Sequence, residues 1–444
     1  MQKNIRKDSS QLTWDKRLIS FNFSKKFNVN FSMKNEELKY NVYFEIEPLY
    51  YLSRFLGLAP FSIRKKKSGE REVHFSHSDI ILTATLNILL FVGLCFGEFI
   101  TANTAGSAVP ILIRALWFIS ILSQYATSIV TLILNITIHR KLFPLILRRI
   151  CIIDSKLFND GTNEKLYKSR RSGIYKQLAI VAFILIIHSS AYFYNFFHST
   201  ILYKINIILR TLCNIIFFCI SSQYTSLVLM LRARYKHLVS IFSNLLSTKG
   251  SLYDTDLTHI GHPGPSGACF VLYATTRYFE VCQVREMRNI YSQLHEVLWL
   301  VNKYYGYPIL LVIISTIVTF IPTFFTGIMY IQNAIVYQRE FQHYMIMASC
   351  LCWCISILFT FAWIISSCHL VTLEVHKLLL YIHKIEIYSN MKQSTIVELR
   401  SFISQLRDMK VEFSICGLFV LNLPFLCATL GVITTYVTVL FQLK

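Results

Sequence analysis

The stretch that decides the fold reads Gly431-Val-Ile-Thr-Thr435-Tyr-Val-Thr438-Val-Leu-Phe-Gln442-Leu443-Lys444. It belongs to an apolar run that begins near Leu418 and is long enough to cross a bilayer as one helix. At 100° per residue, the small and weakly polar residues of this run fall within roughly 40° of one line along the helix. They are Pro424, Ala428, Gly431, Thr435, Thr438 and Gln442. Such a helix either packs closely on another helix through its small residues or lines a wetted path through an oligomer.

The composition is that of an integral membrane protein. The chain has 444 residues, of which 54% are hydrophobic and only 15% are charged, whereas a soluble domain carries about 25% charged residues. The formal net charge of +20 does not by itself indicate a nucleic-acid partner, because that interpretation needs a basic patch on a soluble core. We expect membrane lipid, and no nucleic acid, among the partners.

Seven segments are apolar and long enough to span a bilayer. They lie at about 80–100, 110–136, 178–198, 205–231, 308–331, 345–367 and 418–442. The sequence therefore predicts an all-α membrane protein with seven transmembrane helices.

Basic residues are distributed unequally between the two sets of connecting regions. Of the 44 Lys and Arg residues, 39 lie in 1–79, 137–177, 232–307 and 368–417, and only three lie in the alternating set. Because translocated loops avoid Lys and Arg, the first set is predicted to be cytoplasmic. This places the amino terminus inside and the carboxyl terminus outside, a topology inverted relative to G-protein-coupled receptors. Helical periodicity beyond the fourth, fifth and sixth segments predicts a cytoplasmic helical bundle in which subunits could meet.

Polar and aromatic side chains concentrate in the outer halves of the spans. They include Trp117, His188, Tyr192, Asn195, Arg210, Asn214, Thr323, Tyr330 and Trp353. A charged residue such as Arg210 is costly in lipid and usually faces protein or a wet cavity. The set fits a small-molecule pocket that opens outward. Interhelical hydrogen bonds with an interfacial aromatic belt explain it equally well.

Catalytic and metal chemistry have little support in the sequence. Cys350 and Cys354 share a helix face from which Cys352 points away, so the three thiols cannot converge on one metal. The spans contain no carboxylate pair or histidine cluster of the kind that intramembrane catalysis needs. We expect no catalytic residues, no metal and no cofactor. The absence of an internal repeat also disfavours a transporter.

Two motifs resemble one receptor family. The segment Thr435-Tyr436-Val-Thr-Val-Leu-Phe-Gln442 is similar to the Thr-Tyr, five mostly apolar residues, Gln-Phe signature of insect gustatory receptors. Upstream, Phe413-Ser-Ile-Cys416-Gly417-Leu-Phe419 resembles the Phe-Ser-x-Cys-Gly-Leu-Phe stretch that precedes the last helix in that family. With the seven spans and the inverted topology, the resemblance covers essentially the whole chain.

The resemblance implies a tastant-gated cation channel of the plasma membrane, related to insect odorant receptors. It would be a homotetramer, or a heterotetramer with other gustatory receptors. The chain would begin with a cytoplasmic region, 1–79, followed by a six-helix ligand-binding domain, 80–367, which includes the cytoplasmic loops 137–177 and 232–307. A cytoplasmic helical anchor, 368–417, and a pore-lining seventh helix, 418–444, would follow. Gln442 and Leu443 would form the narrowing, with Thr438 and Thr435 below them.

Two departures from the family pattern bear on gating and ligand. Leu443 stands where the family usually has Phe, although leucine can still form a dewetting constriction. Sugar receptors of the family resemble Thr-Tyr-Glu at the motif, whereas Val437 follows Tyr436 here. This favours bitter plant compounds, with a fructose or sugar receptor as the alternative. A seven-span receptor that signals through a cytosolic partner is a further alternative, disfavoured by the inverted topology.

Overall fold

The computed structural model describes residues 42–65, 71–74, 76–104, 111–158, 162–195, 201–258, 281–337, 341–388 and 391–442. Helices dominate this part of the chain. They are α1 (Val42–Phe55), α2 (His77–Thr104), α3 (Ile111–Ile136), α4 (Leu142–Leu157), α5 (Thr162–Asn195), α6 (Ile201–Thr258), α7 (Val281–Tyr337), α8 (Phe341–Tyr388), α9 (Gln393–Asp408) and α10 (Leu423–Gln442). Two antiparallel hairpins pair β1 (Ser62–Lys65) with β2 (Arg71–His74) and β3 (Ser414–Ile415) with β4 (Phe419–Val420).

Seven of the described helices are long and apolar enough to cross a membrane, namely α2, α3, α5, α6, α7, α8 and α10. Each coincides with one of the seven segments predicted from the sequence. The prediction of an all-α, seven-helix membrane protein is therefore confirmed. The direction in which the chain crosses the bilayer stays a prediction.

Three helices are much longer than the bilayer requires. α6, α7 and α8 have 58, 57 and 48 residues, whereas about 20 residues span the hydrocarbon. Their polar halves pack with α1, α4 and α9 at one end of the molecule. We call this end the base, and the opposite end, where α10 finishes, the mouth.

The hydrophobic core lies where α8 packs against α6 and α7. Tyr224 on α6 lies with its hydroxyl 3.2 Å from the Cys368 sulfur on α8, and its ring meets that of Tyr305 on α7 edge-on at 5.4 Å. All three side chains are buried. Edge-to-face rings and a paired hydroxyl allow large aromatic residues to fill this layer without an unsatisfied polar group.

A buried ion network joins four helices at the base. Arg234 on α6 is 0% exposed, and its Nε and Nη2 donate to the two carboxylate oxygens of Asp154 on α4 at 2.9 and 2.6 Å. Tyr167 on α5 donates to Asp154 at 2.6 Å. Because a buried guanidinium needs a bidentate partner to offset its desolvation, this arrangement fixes α4 and α5 against α6.

The same network ties α1 to the bundle. Glu45 on α1 is fully buried, accepts a hydrogen bond from Arg170 Nε at 3.2 Å and lies 3.7 Å from Arg234 Nη1. Burial raises the pKa of the Glu45 carboxyl, and the positive charges of Arg234 and Arg170 oppose this rise. Glu45 is therefore the less well satisfied acid of the network.

Apolar packing holds α9 on the base. Phe402 is fully buried, with its ring 6.0 Å from that of Phe242 on α6 and 5.8 Å from that of Tyr291 on α7. Glu398 adds ion pairs with Arg285 at 2.7 Å and Arg288 at 3.1 Å. α9 thus packs on α6 and α7 through Phe402 and also contacts α8.

A glycine allows the chain to turn sharply after α1. Gly57 has a φ of +72°, and a Cβ at this position would lie 2.9 Å from Thr83 Oγ1 on α2. Thr83 donates to the Gly57 carbonyl at 3.1 Å, and Asn135 on α3 donates to the Leu58 carbonyl at 3.0 Å. Glycine is required both by the left-handed backbone and by this close approach.

The last apolar run begins as a hairpin and becomes helical only at Leu423. Residues 418–420, which the sequence analysis placed in the seventh helix, belong to the β3–β4 hairpin and its turn. Cys416 and Gly417 have positive φ values of 50° and 72°, which no helix accommodates. Asn422 Oδ1 then accepts a hydrogen bond from the Phe425 N–H at 3.0 Å and caps the start of α10.

Candidate pore face and ligand pocket

One side of α10 packs against the rest of the chain. Thr429 and Ile433 are buried, the Phe425 ring meets that of Phe361 on α8 at 6.3 Å, and the Phe441 ring meets that of Phe325 on α7 at 5.3 Å. The buried positions recur every four residues, as expected for a helix docked along one stripe.

The stripe of small and polar residues lies on the other side. Pro424, Ala428, Gly431, Thr435, Thr438 and Gln442 are all exposed in the single chain. The Thr435 hydroxyl donates to the Gly431 carbonyl at 3.0 Å, and the Thr438 hydroxyl donates to the Thr434 carbonyl at 2.9 Å. The threonines are thus satisfied within their own helix.

This geometry bears on whether the stripe packs against another helix or lines an aqueous path. The small residues do not serve to pack α10 against the described helices of its own chain, because those contacts use the opposite face. The stripe is left for another subunit or for an aqueous path. Leu443, the other candidate for the narrowing, lies outside the described residues.

His188 and Trp353, both predicted pocket residues, lie together near the mouth. Their rings stack at 4.2 Å with an interplanar angle of 18°, which joins α5 to α8. Ser349 Oγ lies 3.2 Å from His188 Nδ1, and the Phe218 ring meets Trp353 edge-on at 5.7 Å. All four side chains are buried, so this cluster packs α5, α6 and α8 together near the mouth.

Arg210 and Trp117 form a second pair between α6 and α3. The guanidinium carbon of Arg210 lies 5.6 Å from the Trp117 ring centroid, a distance at which a cation is attracted to the ring. Asn214, one turn further along α6, is buried. The intramembrane arginine therefore faces protein rather than lipid, as its cost in hydrocarbon predicts.

The remaining predicted pocket residues are Thr323, Tyr330, Tyr192 and Asn195. Thr323 is buried on α7 and donates to its own helix at the Thr319 carbonyl, 2.7 Å away. Tyr330 is partly buried on the same helix. The side chains of Tyr192 and Asn195 lie outside the described part of the structure.

Sequence reasoning missed Ser349 and Phe218, although both contact residues that it singled out. Ser349 lies four residues before Trp353 and so on the same face of α8, a spacing that could have identified it. Phe218 lies in an apolar stretch of α6, and nothing in its neighbours distinguishes it. Gly327 was also missed; a Cβ there would lie 3.4 Å from Cys350 Cβ, so it permits a close approach of α7 and α8 in this half.

The fold defines a class: a seven-helix membrane protein whose long helices extend into a common base. The family model described as "7tm Chemosensory receptor" matches residues 46–444. The chain belongs to this chemosensory receptor family.

Solved structures of insect olfactory receptors share the fold. The olfactory receptor OR5 from Machilis hrabei is similar with a TM-score of 0.56 at 15% sequence identity, over 90% of this chain and 98% of that chain. The same receptor in complex with eugenol gives a TM-score of 0.54 at 12% identity, with the same coverage. A search of curated proteins finds no significant match.

Proposed function

We propose that the chain is a subunit of a gustatory receptor, a tastant-gated non-selective cation channel in the plasma membrane of chemosensory neurons. The observation that carries the proposal is the polar stripe of α10, which faces away from the helices that anchor α10 in its own chain. Four copies arranged around these stripes, as a homotetramer or a heterotetramer with other gustatory receptors, would enclose a path lined by Thr435, Thr438 and Gln442. A threonine and amide lining offers water and cations weak, exchangeable oxygen ligands.

The ligand pocket proposed here lies between α3, α5, α6 and α8 near the mouth. The stacked His188–Trp353 pair and the Arg210–Trp117 pair supply flat aromatic faces together with hydrogen-bonding groups. Such a lining suits a flat, partly apolar plant compound of the bitter type. Eugenol, the aromatic ligand named for the related olfactory receptor structure, has this character. A sugar would instead need a dense array of hydrogen-bonding groups.

Gating requires that the ligand bind the open state more tightly than the closed one. α7 and α8 both contact α10, and α8 carries Trp353. A displacement of α8 on ligand binding would therefore reach the pore helix directly. The amino terminus is proposed to be cytoplasmic, with the base inside the cell and the mouth outside.

The test is an electrical recording from excised patches of cells that lack other receptors, with a panel of alkaloids and sugars. We expect agonist-evoked cation current in the absence of cytosolic components, and a change of several-fold in the Ca²⁺ to Na⁺ permeability ratio in Gln442→Glu, because a carboxylate would then face the permeant ions. Tyr436→Phe, about 100° away from the stripe, serves as the matched control and should keep the wild-type ratio.

In the same recordings, Arg210→Ala should shift agonist potency more than maximal current, because it removes a pocket group and leaves α10 unchanged. Currents that depend on added cytosolic G-protein components would contradict direct gating. An unaltered permeability ratio in Gln442→Glu would remove that residue from the pore. Sugar-evoked currents without alkaloid responses would assign the receptor to the sugar alternative.

A further inference from the structure

An exposed stripe on α7 combines aromatic rings with a positive charge. Trp299 and Tyr307 are 55% and 59% exposed, and Lys303, also exposed, lies between them. The spacing of four residues places the three side chains on one face of the helix over about 12 Å. The Lys303 ammonium lies 4.9 Å from the centroid of the Trp299 ring, so the charge and the ring are already held together in the single chain.

The stripe lies at the membrane boundary of the base. The apolar segment of α7 begins at Pro308, and α3 reaches the same boundary at Ile136. Tryptophan and tyrosine favour this depth, where the ring lies among acyl chains and the polar end reaches the headgroups. The position of the stripe therefore matches the headgroup layer rather than the hydrocarbon or the bulk solvent.

The turn between α3 and α4 packs on α7 close to the stripe and carries an exposed lysine. The His139 ring lies 5.0 Å from that of Tyr304, the neighbour of Lys303. Burial lowers the pKa of His139, and the nearby charge of Lys303 lowers it further. Lys141, two residues further along, is exposed. We call Lys141, Trp299, Lys303 and Tyr307 the boundary patch.

Neither lysine of the boundary patch has an acidic partner in the part of the chain that the structure describes. Glu412 is close in the fold, since its carbonyl accepts a hydrogen bond from Asn302 at 2.9 Å, but its carboxylate makes no ion pair with Lys303. By contrast, Arg149 and Glu296, deeper in the base, pair with each other at 3.5 Å. The boundary patch is thus a site of uncompensated positive charge at headgroup depth.

From Lys303 between Trp299 and Tyr307 at the membrane boundary, with the exposed Lys141 in the adjoining turn, we propose that the boundary patch binds the phosphate headgroup of an anionic lipid in the leaflet at the base. The two ammonium groups would pair with phosphate oxygens, and the two aromatic rings would lie along the glycerol and upper acyl chains. The assignment to the cytoplasmic leaflet rests on the orientation proposed above. The lipid would fix the depth of α7, which contacts both α8 and the pore helix.

Binding can be measured on the purified receptor without any current, so that its failure leaves the proposed channel function standing. The probe is dioctanoyl phosphatidylinositol 4,5-bisphosphate, titrated by thermophoresis, with dioctanoyl phosphatidylcholine and soluble inositol trisphosphate as comparison ligands. We expect Lys303→Gln and Lys141→Gln each to weaken binding about five-fold. Lys303→Arg should retain it. Lys384→Gln, an exposed lysine of α8 far into the base, is the matched control and should bind as wild type.

Three results would overturn the proposal: equal affinity in Lys303→Gln and wild type, equal affinity for the neutral lipid, or equal affinity for the soluble headgroup, which would indicate a free phosphate ligand. A second measurement does not depend on affinity. In nanodiscs, lipid with a shallow doxyl group should quench a fluorescence component that Trp299→Phe abolishes. Lack of such quenching in a folded, monodisperse sample would show that protein, such as a neighbouring subunit, covers the patch instead.

Discussion

At the scale of single residues, the stability of the base depends on the hydrogen bonds and ion pairs that two buried acids make. Asp154 accepts two short hydrogen bonds from Arg234 and a third from Tyr167. Glu45 Oε2, by contrast, accepts no hydrogen bond from the described residues. The two carboxylates belong to one network but contribute to it unequally.

Exchange of each acid for its amide should separate these roles. Asp154→Asn leaves the buried charge of Arg234 without its bidentate partner and should cost about 3–5 kcal/mol. Glu45→Gln should cost less, because the glutamine carbonyl oxygen can still accept the hydrogen bond from Arg170. The folded-state pKa of Glu45 is raised, so folding favours protonation of its carboxyl, and the stability gained from that protonation is present below the unfolded pKa and is lost as the pH rises through the folded pKa.

The measurement is the apparent melting temperature of the detergent-solubilised receptor by fluorescence-detected gel filtration at pH 7. Equal losses in the two variants would contradict this account of the network.

The sequence could not identify this network. Arg234 lies in the helical extension predicted beyond the fourth span, and its partner Asp154 lies 80 residues away along the chain. His188 and Trp353 were both predicted as pocket residues because they combine aromatic and polar character in outer half-spans. Their stacking depends on how α5 and α8 pack, which no local pattern specifies.

At the scale of elements, α9 shows which contacts hold the base together. Phe402→Ala should cost about 3–5 kcal/mol, because the ring fills a space between Phe242 and Tyr291. Glu398→Gln should cost much less, since one of its arginine partners is exposed and the other is partly exposed. The rate of limited proteolysis between α8 and α9 measures how firmly α9 is held on the base. Rapid cleavage in Glu398→Gln but not in Phe402→Ala would show that the ion pairs, rather than the apolar contacts, hold α9.

The ion pair of Glu398 also has a defined pH dependence. Its hydrogen bond from Arg285 lowers the pKa of the Glu398 carboxyl below the usual 4.5. The small stabilisation is therefore present above pH 4.5 and is lost as the pH falls through the lowered folded-state pKa.

The helices could be predicted from the sequence where apolar length or helical periodicity is enough to define them. The seven spans followed from apolar length, and the extension of α6, α7 and α8 followed from helical periodicity. The start of α10 was predicted several residues too early, because Leu418, Phe419 and Val420 are as apolar as the helix that follows. The hairpin turns at Cys416 and Gly417, which have positive φ values. A backbone turn of this kind leaves no signal in the hydropathy of the sequence.

At the scale of the whole molecule, the distribution of Lys and Arg predicts the direction of insertion. An epitope tag at the amino terminus should be detected only after permeabilisation, and one at the carboxyl terminus should be detected in intact cells. The reason is that 39 of the 44 basic side chains would otherwise be on the translocated side. Staining of the amino-terminal tag in intact cells would refute the inverted topology, and with it the assignment of the boundary patch to the cytoplasmic leaflet.

The two prolines inside α7 give this long helix an uneven stiffness. Pro308 and Pro322 have no N–H, so the carbonyls of Tyr304 and Val318 lack their usual helical donors. The half of α7 that lies in the base precedes both gaps and behaves as a stiff rod. The segment between them, about 21 Å long, has a weakened joint at each end, so bending is concentrated there. A force on α7 would therefore swivel its intramembrane part, which contains Ser315 and Thr319 against α3, while the base stays still.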